Sequence, residues 1–233
     1  MSRTDCRTII GMLKRRASAR NAAGMARFGI NTRNALGVNV PVLRMIARSC
    51  RNDHDLALQL WKTDIHEARL LAGFIDDPAK VSVKQMELWV SDFDSWDICD
   101  LVCGNLFDRT DFAYRKAKEW PERKEEYVKR AGFVLMAALS VHDKKAHDRV
   151  FLDFFPIIAM GAVDERNFVR KAVNWALRQI GKRNLRLNRA AVRVAKDIAR
   201  IDSKSARWIA SDALRELTDK KVLARLSKKR GEL

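Results

Sequence analysis

The sequence has little glycine, proline and cysteine, and no long apolar stretch. Among 233 residues there are 10 Gly, 4 Pro and 4 Cys. A membrane-spanning helix needs about 20 consecutive apolar residues, and since no such stretch occurs we exclude a membrane-spanning protein. The N-terminal sequence MSRTDCRTIIGMLKRR also lacks the apolar segment and the cleavage site of a secretory signal. We therefore expect a cytoplasmic protein that has no membrane partner.

The four cysteines are too few for a disulfide framework in a chain of this length. Cys99 and Cys103 lie one helical turn apart, which is compatible with a shared metal ion, but no second Cys or His pair at ligand spacing accompanies them. We interpret the cysteines as small buried hydrophobic side chains. Accordingly, we expect neither a metal site nor any other cofactor.

Several sequence motifs of enzyme classes are missing. The segment from Gly24 to Gly29 is followed by Ile30, so it lacks the lysine of a GxxxxGK[ST] phosphate-binding loop. GxGxxG, HExxH and GxSxG are also absent. Nucleotide-driven, zinc-dependent and serine-hydrolase chemistries are therefore poorly supported.

Acidic charge is scarce, and its distribution along the chain is uneven. The net charge of +17 divides into +9 for residues 1–50, −5 for residues 51–120 and +13 for residues 121–233. A field of this size attracts polyanions and makes binding salt-dependent, so nucleic acid is the first partner to consider. A surface that only keeps the protein soluble is the alternative interpretation.

Apolar residues recur every three or four positions through most of the chain, which is the period of an α-helix. Two such groups are Leu70, Leu71, Phe74 and Ile75, and Val173, Ala176, Leu177 and Ile180. Strict alternation over a strand length is missing, so no sheet is expected. The sequence predicts an all-α fold of about a dozen helices, roughly 10 to 18 residues each, joined by short loops.

Helix breaks and helix starts are marked by local residue types. Pro41 and Pro78 are predicted at helix starts, and Ser82 and Asp164 as N-caps. The predicted breaks are Gly37 to Pro41, Asp76 to Pro78, Asp108 to Asp111, Trp120 to Pro121, His142 to Asp143, Gly161 to Asp164, Gly181 to Leu187, and Ile201 to Ser203.

No loop is long enough, or rich enough in Gly and Ser, to be a linker, so we predict one domain over residues 1–233. Successive antiparallel helix pairs of roughly 40 residues favour a HEAT-like repeat solenoid over a plain bundle, although no sequence motif clearly repeats. Such a solenoid has a concave groove, which we expect to be basic here. The basic first segment and the last one, Lys220 to Arg230, would be capping helices.

The segment Asp92-Phe-Asp-Ser-Trp-Asp-Ile-Cys-Asp100 contains four carboxylates in an otherwise basic protein. On a helix that begins near Ser95, Trp96 and Asp100 share one face because they are four residues apart. Capping and the helix dipole explain Asp94 and Asp97. Asp100 lies deeper in the helix, where a carboxylate would stabilise a developing cation or form an ordinary ion pair.

Two later segments place cations beside aromatic or core positions. They are Val128-Lys-Arg-Ala-Gly-Phe133 and the stretch from Arg166 to Lys182. Trp175 is four residues after Lys171 and three before Arg178, so cations flank an indole on one helical face. This arrangement suits a nucleic-acid backbone, and core packing is the alternative role of the tryptophan.

Together these segments resemble the AlkD-like DNA alkylation repair family, whose members are HEAT-like-repeat DNA glycosylases that remove cationic alkylpurines. The resemblance runs from the Met25-Ala-Arg-Phe-Gly-Ile segment through Arg178. It depends on three short sequence motifs that occur in the family's order. They are Trp-Asp-x-x-Asp ending at Asp100, Arg-Ala at Arg130, and Lys-Ala-x-x-Trp-x-Leu-Arg around Trp175. Ser95 and Phe28 depart from the family, since characterised bacterial members have other aromatic residues there.

The resemblance implies that Asp100 is the catalytic aspartate, that Trp96 and Trp175 lie against the sugar and backbone at the lesion, and that Arg130 lines the groove. It implies a monomer whose partner is double-stranded DNA with alkylated bases. Removal of an N3- or N7-alkylated purine then needs no metal and no general acid. The DNA-binding residues that we expect are Lys129, Arg130, Arg170, Lys171, Arg178 and Lys182.

Two other functional classes remain open at this stage. A non-catalytic HEAT-like protein that binds bent or branched DNA would show salt-sensitive binding without base release. A protein-interaction scaffold, which is the role of many helical solenoids, would show no measurable affinity for duplex DNA at physiological salt.

Overall fold

The structure is a computed structural model, and it describes residues 5–228. Over this range it contains fifteen α-helices, two short 3-10 helices and no strand, which confirms the all-α prediction. The α-helices are α1 Cys6–Arg15, α2 Ala19–Ala26, α3 Val40–Ala47, α4 His54–Trp61, α5 His66–Ile75, α6 Val83–Ser91, α7 Trp96–Asn105, α8 Ala113–Glu119, α9 Glu126–His142, α10 Asp148–Leu152, α11 Phe155–Gly161, α12 Asn167–Gly181, α13 Leu185–Ile198, α14 Lys204–Leu217 and α15 Lys220–Lys228.

Many of these helices are shorter than the sequence predicts, and α10 has only five residues. The reason is that tertiary packing stabilises short helices that would be marginal in isolation. The α15 helix covers most of the predicted C-terminal capping segment, whose residues 229–230 lie outside the described residues. None of the described helices is both long enough and apolar enough to cross a membrane.

Of the four residues predicted at helix starts or as N-caps, two are confirmed and two are wrong. Pro41 lies in the first turn of α3, and the Ser82 side chain caps α6 by accepting a hydrogen bond from the amide of Gln85. Pro78 does not start a helix, because it lies in the turn between α5 and α6. Asp164 is not an N-cap either, since α12 begins later and the Asp164 carboxylate accepts the amide of Arg166 in the preceding loop.

The chain divides into two compact units, Met1–Phe112 and Ala113–Leu233. The single domain over residues 1–233 stays a prediction.

In the first unit, α5 is the central helix and packs against α3, α4 and α7. Gly73 on α5 permits a close approach to α7, since a Cβ atom there would lie 3.0 Å from a methyl group of Val102. An aromatic cluster fills the remaining core, where Trp61 stacks on Trp89 with ring centroids 4.0 Å apart. This core holds the N-terminal end of α7 in place.

In the second unit, α12 is the central helix and packs against α9, α13 and α14. The α13 helix also contacts α10, α11 and α14. The packing of α11 against α9 requires glycine, since a Cβ atom at Gly161 would lie 2.4 Å from the ring of Phe133. The helices α9 and α12, which hold the candidate residues of this unit, are therefore in direct contact.

Candidate active site and nucleic-acid interface

Trp96 and Asp100 lie one turn apart on α7, which begins at Trp96 as the sequence predicts. Both side chains are half-buried, whereas the positions between them include the fully buried Cys99. Side chains four residues apart on a helix lie on the same face. The first unit therefore presents an indole and a carboxylate together at its surface.

The ring of Trp96 is held by a hydrogen bond from its Nε1 to the carbonyl oxygen of Phe28, at 2.9 Å. The loop that supplies this carbonyl is fastened to the start of α7 at two further points. The amide of Asn31 donates to Ser95 Oγ at 2.8 Å, and Asn31 Nδ2 donates to Asp94 Oδ2 at 2.7 Å. Ser95, a departure from the family pattern, thus anchors this loop instead of offering an aromatic ring.

The other end of the same loop is held by Glu67, a fully buried carboxylate on α5. Its Oε1 accepts the amides of Gly37 and Val38 at 2.6 and 3.1 Å, and its Oε2 accepts the amide of Leu36 at 2.8 Å. A buried charge is tolerated when hydrogen bonds satisfy it in this way. Glu67 therefore shapes the loop, residues 28–38, that positions Trp96.

The three other aspartates of the acidic segment have structural partners. Asp92 accepts the indole N–H of Trp61 at 2.8 Å, and Asp94 holds the loop as described. Asp97 contacts His66 Nε2 at 2.8 Å. The capping role that the sequence suggested is wrong, because Ser95 is the N-cap of α7 and, among the described residues, no side chain forms a capping hydrogen bond there. Asp97 does lie in the first turn, as the helix dipole favours, but both Asp94 and Asp97 also have specific tertiary partners.

His66 is almost completely buried at the start of α5. Burial lowers its pKa, but the hydrogen bond and charge of Asp97, together with the charges of Glu67 and Asp94, outweigh this effect and raise the pKa of His66 above 6.5. The imidazole therefore keeps its proton to a higher pH than an unperturbed histidine does, and the pair links α5 to α7.

A polar cavity of about 210 Å³ lies beside this contact. Its lining includes Arg33, Asp64, His66 and Arg69, and neither Trp96 nor Asp100 belongs to it. The indole and the carboxylate are therefore displayed at the surface of the unit, outside this cavity.

In the second unit, Arg130 is only 5% exposed, and its Nη1 donates a hydrogen bond to the carbonyl oxygen of Phe168. This bond joins α9 to the first turn of α12. The sequence predicts a groove arginine at this position, whereas the structure buries the side chain between two helices. In this state it offers little surface to a phosphate and instead positions the start of α12.

Lys129, the neighbour of Arg130, is directed toward Asp164, with 3.4 Å between Nζ and Oδ2. Asp164 also binds Arg166 at 2.6 Å. Partial burial opposes the ionised form, but the hydrogen bonds from Arg166 and the charge of Lys129 hold the pKa of Asp164 below its ordinary value of 3.8. Lys129 thus belongs to an ion-pair cluster at the N-terminal ends of α9 and α12.

Arg178 and Lys182 form ion pairs with one carboxylate of α14. Arg178 Nη1 and Lys182 Nζ each lie 2.7 Å from Glu216, on its two different oxygens. Although partial burial raises the pKa of Glu216, the two cations lower it below 4.5 overall. Glu216 was not singled out from the sequence, and it competes with any phosphate for both predicted DNA-binding residues.

The remaining candidates on α12 differ in exposure. Lys171 is exposed, Trp175 is half-buried, and the guanidinium of Arg170 lies over the ring of Trp208 at 5.0 Å from its centroid. Trp208 on α14 is 38% exposed, and it too was missed. The signal that could have found it is the motif of Trp208 beside Arg207, an aromatic residue next to a cation.

The structure thus brings Trp96 and Asp100 together on one helix of the first unit. The predicted residues of the second unit lie on α9, on α12 or directly after α12, and they are Lys129, Arg130, Arg170, Lys171, Trp175, Arg178 and Lys182. Cys99 and Cys103 are fully buried, and burial raises the pKa of the Cys103 thiol well above 9.0. The prediction that the cysteines are buried packing residues is confirmed for Cys50, Cys99 and Cys103, whereas Cys6 is only half-buried. Within residues 5–228, no group of three or more His, Cys, Asp or Glu side chains has an arrangement suited to a metal ion.

An all-helical fold whose helix faces carry cations and aromatic side chains defines a class of candidate nucleic-acid-binding proteins. The family model described as "DNA alkylation repair enzyme" matches residues 9–217. The chain therefore belongs to the DNA alkylation repair enzyme family.

Among solved structures, the chain is similar to one described as "A new family of proteins related to the HEAT-like repeat DNA glycosylases with affinity for branched DNA structures". The TM-score is 0.76 at 19% sequence identity, covering 91% of this chain and 96% of the other. This similarity shows a shared fold and confirms the predicted HEAT-like class. No curated protein matches the sequence.

Proposed function

We propose that this protein is a DNA glycosylase that excises cationic N3- or N7-alkylated purines from duplex DNA. The observation that carries the proposal is the pair of Trp96 and Asp100 on one half-buried face of α7, with the indole held by the Phe28 carbonyl. Membership in the DNA alkylation repair enzyme family supports it. We further propose that it acts as a cytoplasmic monomer without a cofactor.

The chemistry needs one carboxylate. An alkylated purine already has a positive charge, so when its bond to C1′ breaks, the electron pair goes to the ring nitrogen and the base leaves neutral. The sugar becomes oxocarbenium-like, and the Asp100 carboxylate stabilises that charge electrostatically. Water then forms a bond to C1′ and gives its proton to the carboxylate, so no acid is needed for the leaving group.

The indole of Trp96 has a positioning role in this proposal. Its hydrogen bond to Phe28 keeps the ring beside Asp100, where its flat face packs against a deoxyribose. In the second unit, Lys171 and Trp175 contact the DNA backbone, while Lys129, Arg170, Arg178 and Lys182 exchange their present partners for phosphates. Arg130 acts by holding α12 in place.

The test is base release from a duplex with one N7-methylguanine, compared between wild type and Asp100→Asn. We expect Asp100→Asn to lose at least about a hundredfold in rate, the size of effect seen when a group that stabilises transition-state charge is removed. Its duplex affinity should stay equal or rise, because a negative charge is removed. The matched control is Asp111→Asn, an exposed aspartate of the same unit, which should keep the wild-type rate. Full activity of Asp100→Asn would remove Asp100 from the mechanism.

A second candidate function is binding of branched DNA without base release. It is favoured by the structural relative, which is described as belonging to a family with affinity for branched DNA structures. Under this alternative, wild type binds a four-way junction more tightly than a linear duplex of equal length. It also releases no base from N7-methylguanine or 3-methyladenine duplexes, and Asp100→Asn binds like wild type.

A further inference from the structure

A large cavity in the second unit is rich in cations, and α13 contributes several of its lining residues. Its volume is about 1160 Å³. Among its described lining residues, seven are Lys or Arg and one, Asp148, is acidic. Asp148 accepts a hydrogen bond from Asn184 at 2.7 Å, so its carboxylate already has a structural partner.

The cations converge on the cavity from three separate parts of the chain. Lys144 comes from the loop after α9, Arg186, Arg189 and Arg193 from α13, and Arg225 from α15. All five are exposed. Because like charges repel, gathering them around one concave surface opposes folding, and an anion in the cavity would relieve that repulsion. If the charges were only a solvated series along one helix, cations from other segments would not need to lie around the same cavity.

One cation of the cavity lining, Arg183, is held by protein contacts. Arg183 donates hydrogen bonds to the carbonyl oxygens of Ser140 and Ala146 at 3.0 and 2.9 Å, and its guanidinium lies 4.5 Å from the ring centroid of Phe151. Arg183 is therefore a structural cation that holds α9 and α12 together at this point. The N-terminal end of α13, which begins at Leu185, also lies at the cavity and adds the positive end of a helix dipole.

The spacing on α13 suits a sugar-phosphate backbone. Arg186, Arg189 and Arg193 follow one another at three and four residues, so they form one stripe on the helix. The stripe is about 10 Å long at 1.5 Å per residue. A DNA strand has one phosphate per nucleotide, so three cations in a row can contact neighbouring phosphates of one strand.

We infer that this cavity is a binding site for a nucleic-acid backbone, in addition to the backbone contacts proposed for Lys171 and Trp175 in the same unit. The cations that α13 contributes are not among the predicted DNA-binding residues, whereas Lys182, which is one of them, also lines the cavity. Two backbone sites on one protein favour DNA in which two arms are available, such as a junction. The inference rests on the proposed DNA-binding function but not on the glycosylase reaction.

The test uses the triple variant Arg186→Gln, Arg189→Gln and Arg193→Gln in the full chain. Glutamine retains helix propensity, and the three side chains are exposed, so folding should be preserved. The matched control is Lys62→Gln, Lys80→Gln and Lys84→Gln, three exposed lysines of the first unit, which removes the same net charge. The readouts are salt-dependent affinity for a four-way junction and base release from the N7-methylguanine duplex at saturating protein.

We expect the α13 variant to bind the junction at least about tenfold more weakly, with a slope of log K against log salt reduced by about 2 to 3. The control variant should lose far less, and both should retain the wild-type rate of base release. Equal losses in both triple variants would overturn the inference, since net charge alone would then explain binding. So would junction binding that is unchanged in the α13 variant.

Binding to vesicles containing phosphatidylserine separates DNA from an anionic membrane surface. If the α13 substitutions abolish vesicle binding and leave junction affinity intact, the inference is overturned in favour of a membrane. Failure of the proposed glycosylase function is distinguishable from failure of this inference. In the first case wild type releases no base, while the α13 variant still loses junction affinity.

Discussion

The substitution Glu67→Gln tests whether one buried carboxylate shapes the loop that positions Trp96. In the structure, Glu67 Oε1 accepts two backbone amides and Oε2 accepts a third, that of Leu36. Glutamine keeps one carbonyl oxygen, now neutral, and places an NH₂ group against one of the three donors. At least one charge-assisted bond is lost and the others are weakened.

Hydrogen bonds to charged groups contribute about 1.5 to 3 kcal/mol each, so we expect a total cost of about 2 to 4 kcal/mol. For a chain of 233 residues this corresponds to a decrease in Tm of roughly 5 to 12 °C. Since Phe28 belongs to the same loop, base release should also fall, because the carbonyl that holds the Trp96 indole becomes less well positioned.

Thermal unfolding followed by circular dichroism measures the stability effect, and base release is then measured well below the Tm of the variant. Glu122→Gln is the matched control, since Glu122 is exposed and the same atoms change. A Tm for Glu67→Gln equal to that of the control would refute the reasoning. Such a result would mean that the loop retains its shape without the carboxylate.

Three further predictions concern other contacts of the two units. Gly37→Ala should lower the free energy of unfolding by at least about 2 kcal/mol, because Gly37 has φ +75° and a Cβ atom would lie 2.1 Å from the Ser18 carbonyl oxygen. Gly24→Ala is the control, and it should be neutral or stabilising because Gly24 lies in open space on α2. Asp97→Asn should cost more stability below pH 6.5 than at alkaline pH. Because the pKa of its partner His66 is raised in the folded state, the contact between the two side chains stabilises the protein fully below pH 6.5. This contribution is lost as the pH rises through the folded-state pKa of His66. Glu216→Gln should strengthen duplex binding roughly two- to fivefold, about 0.5 to 1 kcal/mol, by releasing two cations from one carboxylate.

These predictions are checked by denaturant unfolding for the glycine pair, by unfolding at two pH values for Asp97→Asn, and by fluorescence anisotropy for Glu216→Gln. Equal stability of the two glycine variants would contradict the close approach at residue 37. A cost of Asp97→Asn that does not vary with pH would show that the contact does not depend on protonation of His66. Unchanged DNA affinity of Glu216→Gln would mean that its partners do not bind phosphate.

Helix boundaries were predictable where a single side chain bonds to the backbone nearby. Ser82 caps α6 through an amide three residues ahead, so its role is readable from local spacing. Pro78 and Asp164 have equally suitable residue types, yet the first lies in a turn and the second bonds to a loop amide. Residue type indicates where a helix can start, whereas tertiary contacts select one start among neighbouring positions.

Within the candidate site, the pairing of Trp96 with Asp100 was predictable because a spacing of four residues brings two side chains to one helical face. The contact from Trp96 to Phe28 was not, since it joins residues 68 positions apart. Likewise, nothing in the local sequence indicates that Arg130 is buried against Phe168, 38 positions away. Such contacts depend on how helices pack, and local periodicity contains little information about packing.

The sequence by itself determined the all-helical class, the basic charge and the face shared by Trp96 and Asp100, because these follow from composition and from the 3.6-residue period of one helix. Only the tertiary structure decided which charges are available. It placed Glu216 against Arg178 and Lys182, and it gathered the arginines of α13 with cations from two other segments around one cavity. The physical reason is that charges interact through space, so their partners are set by the packing of distant segments and not by neighbours along the chain.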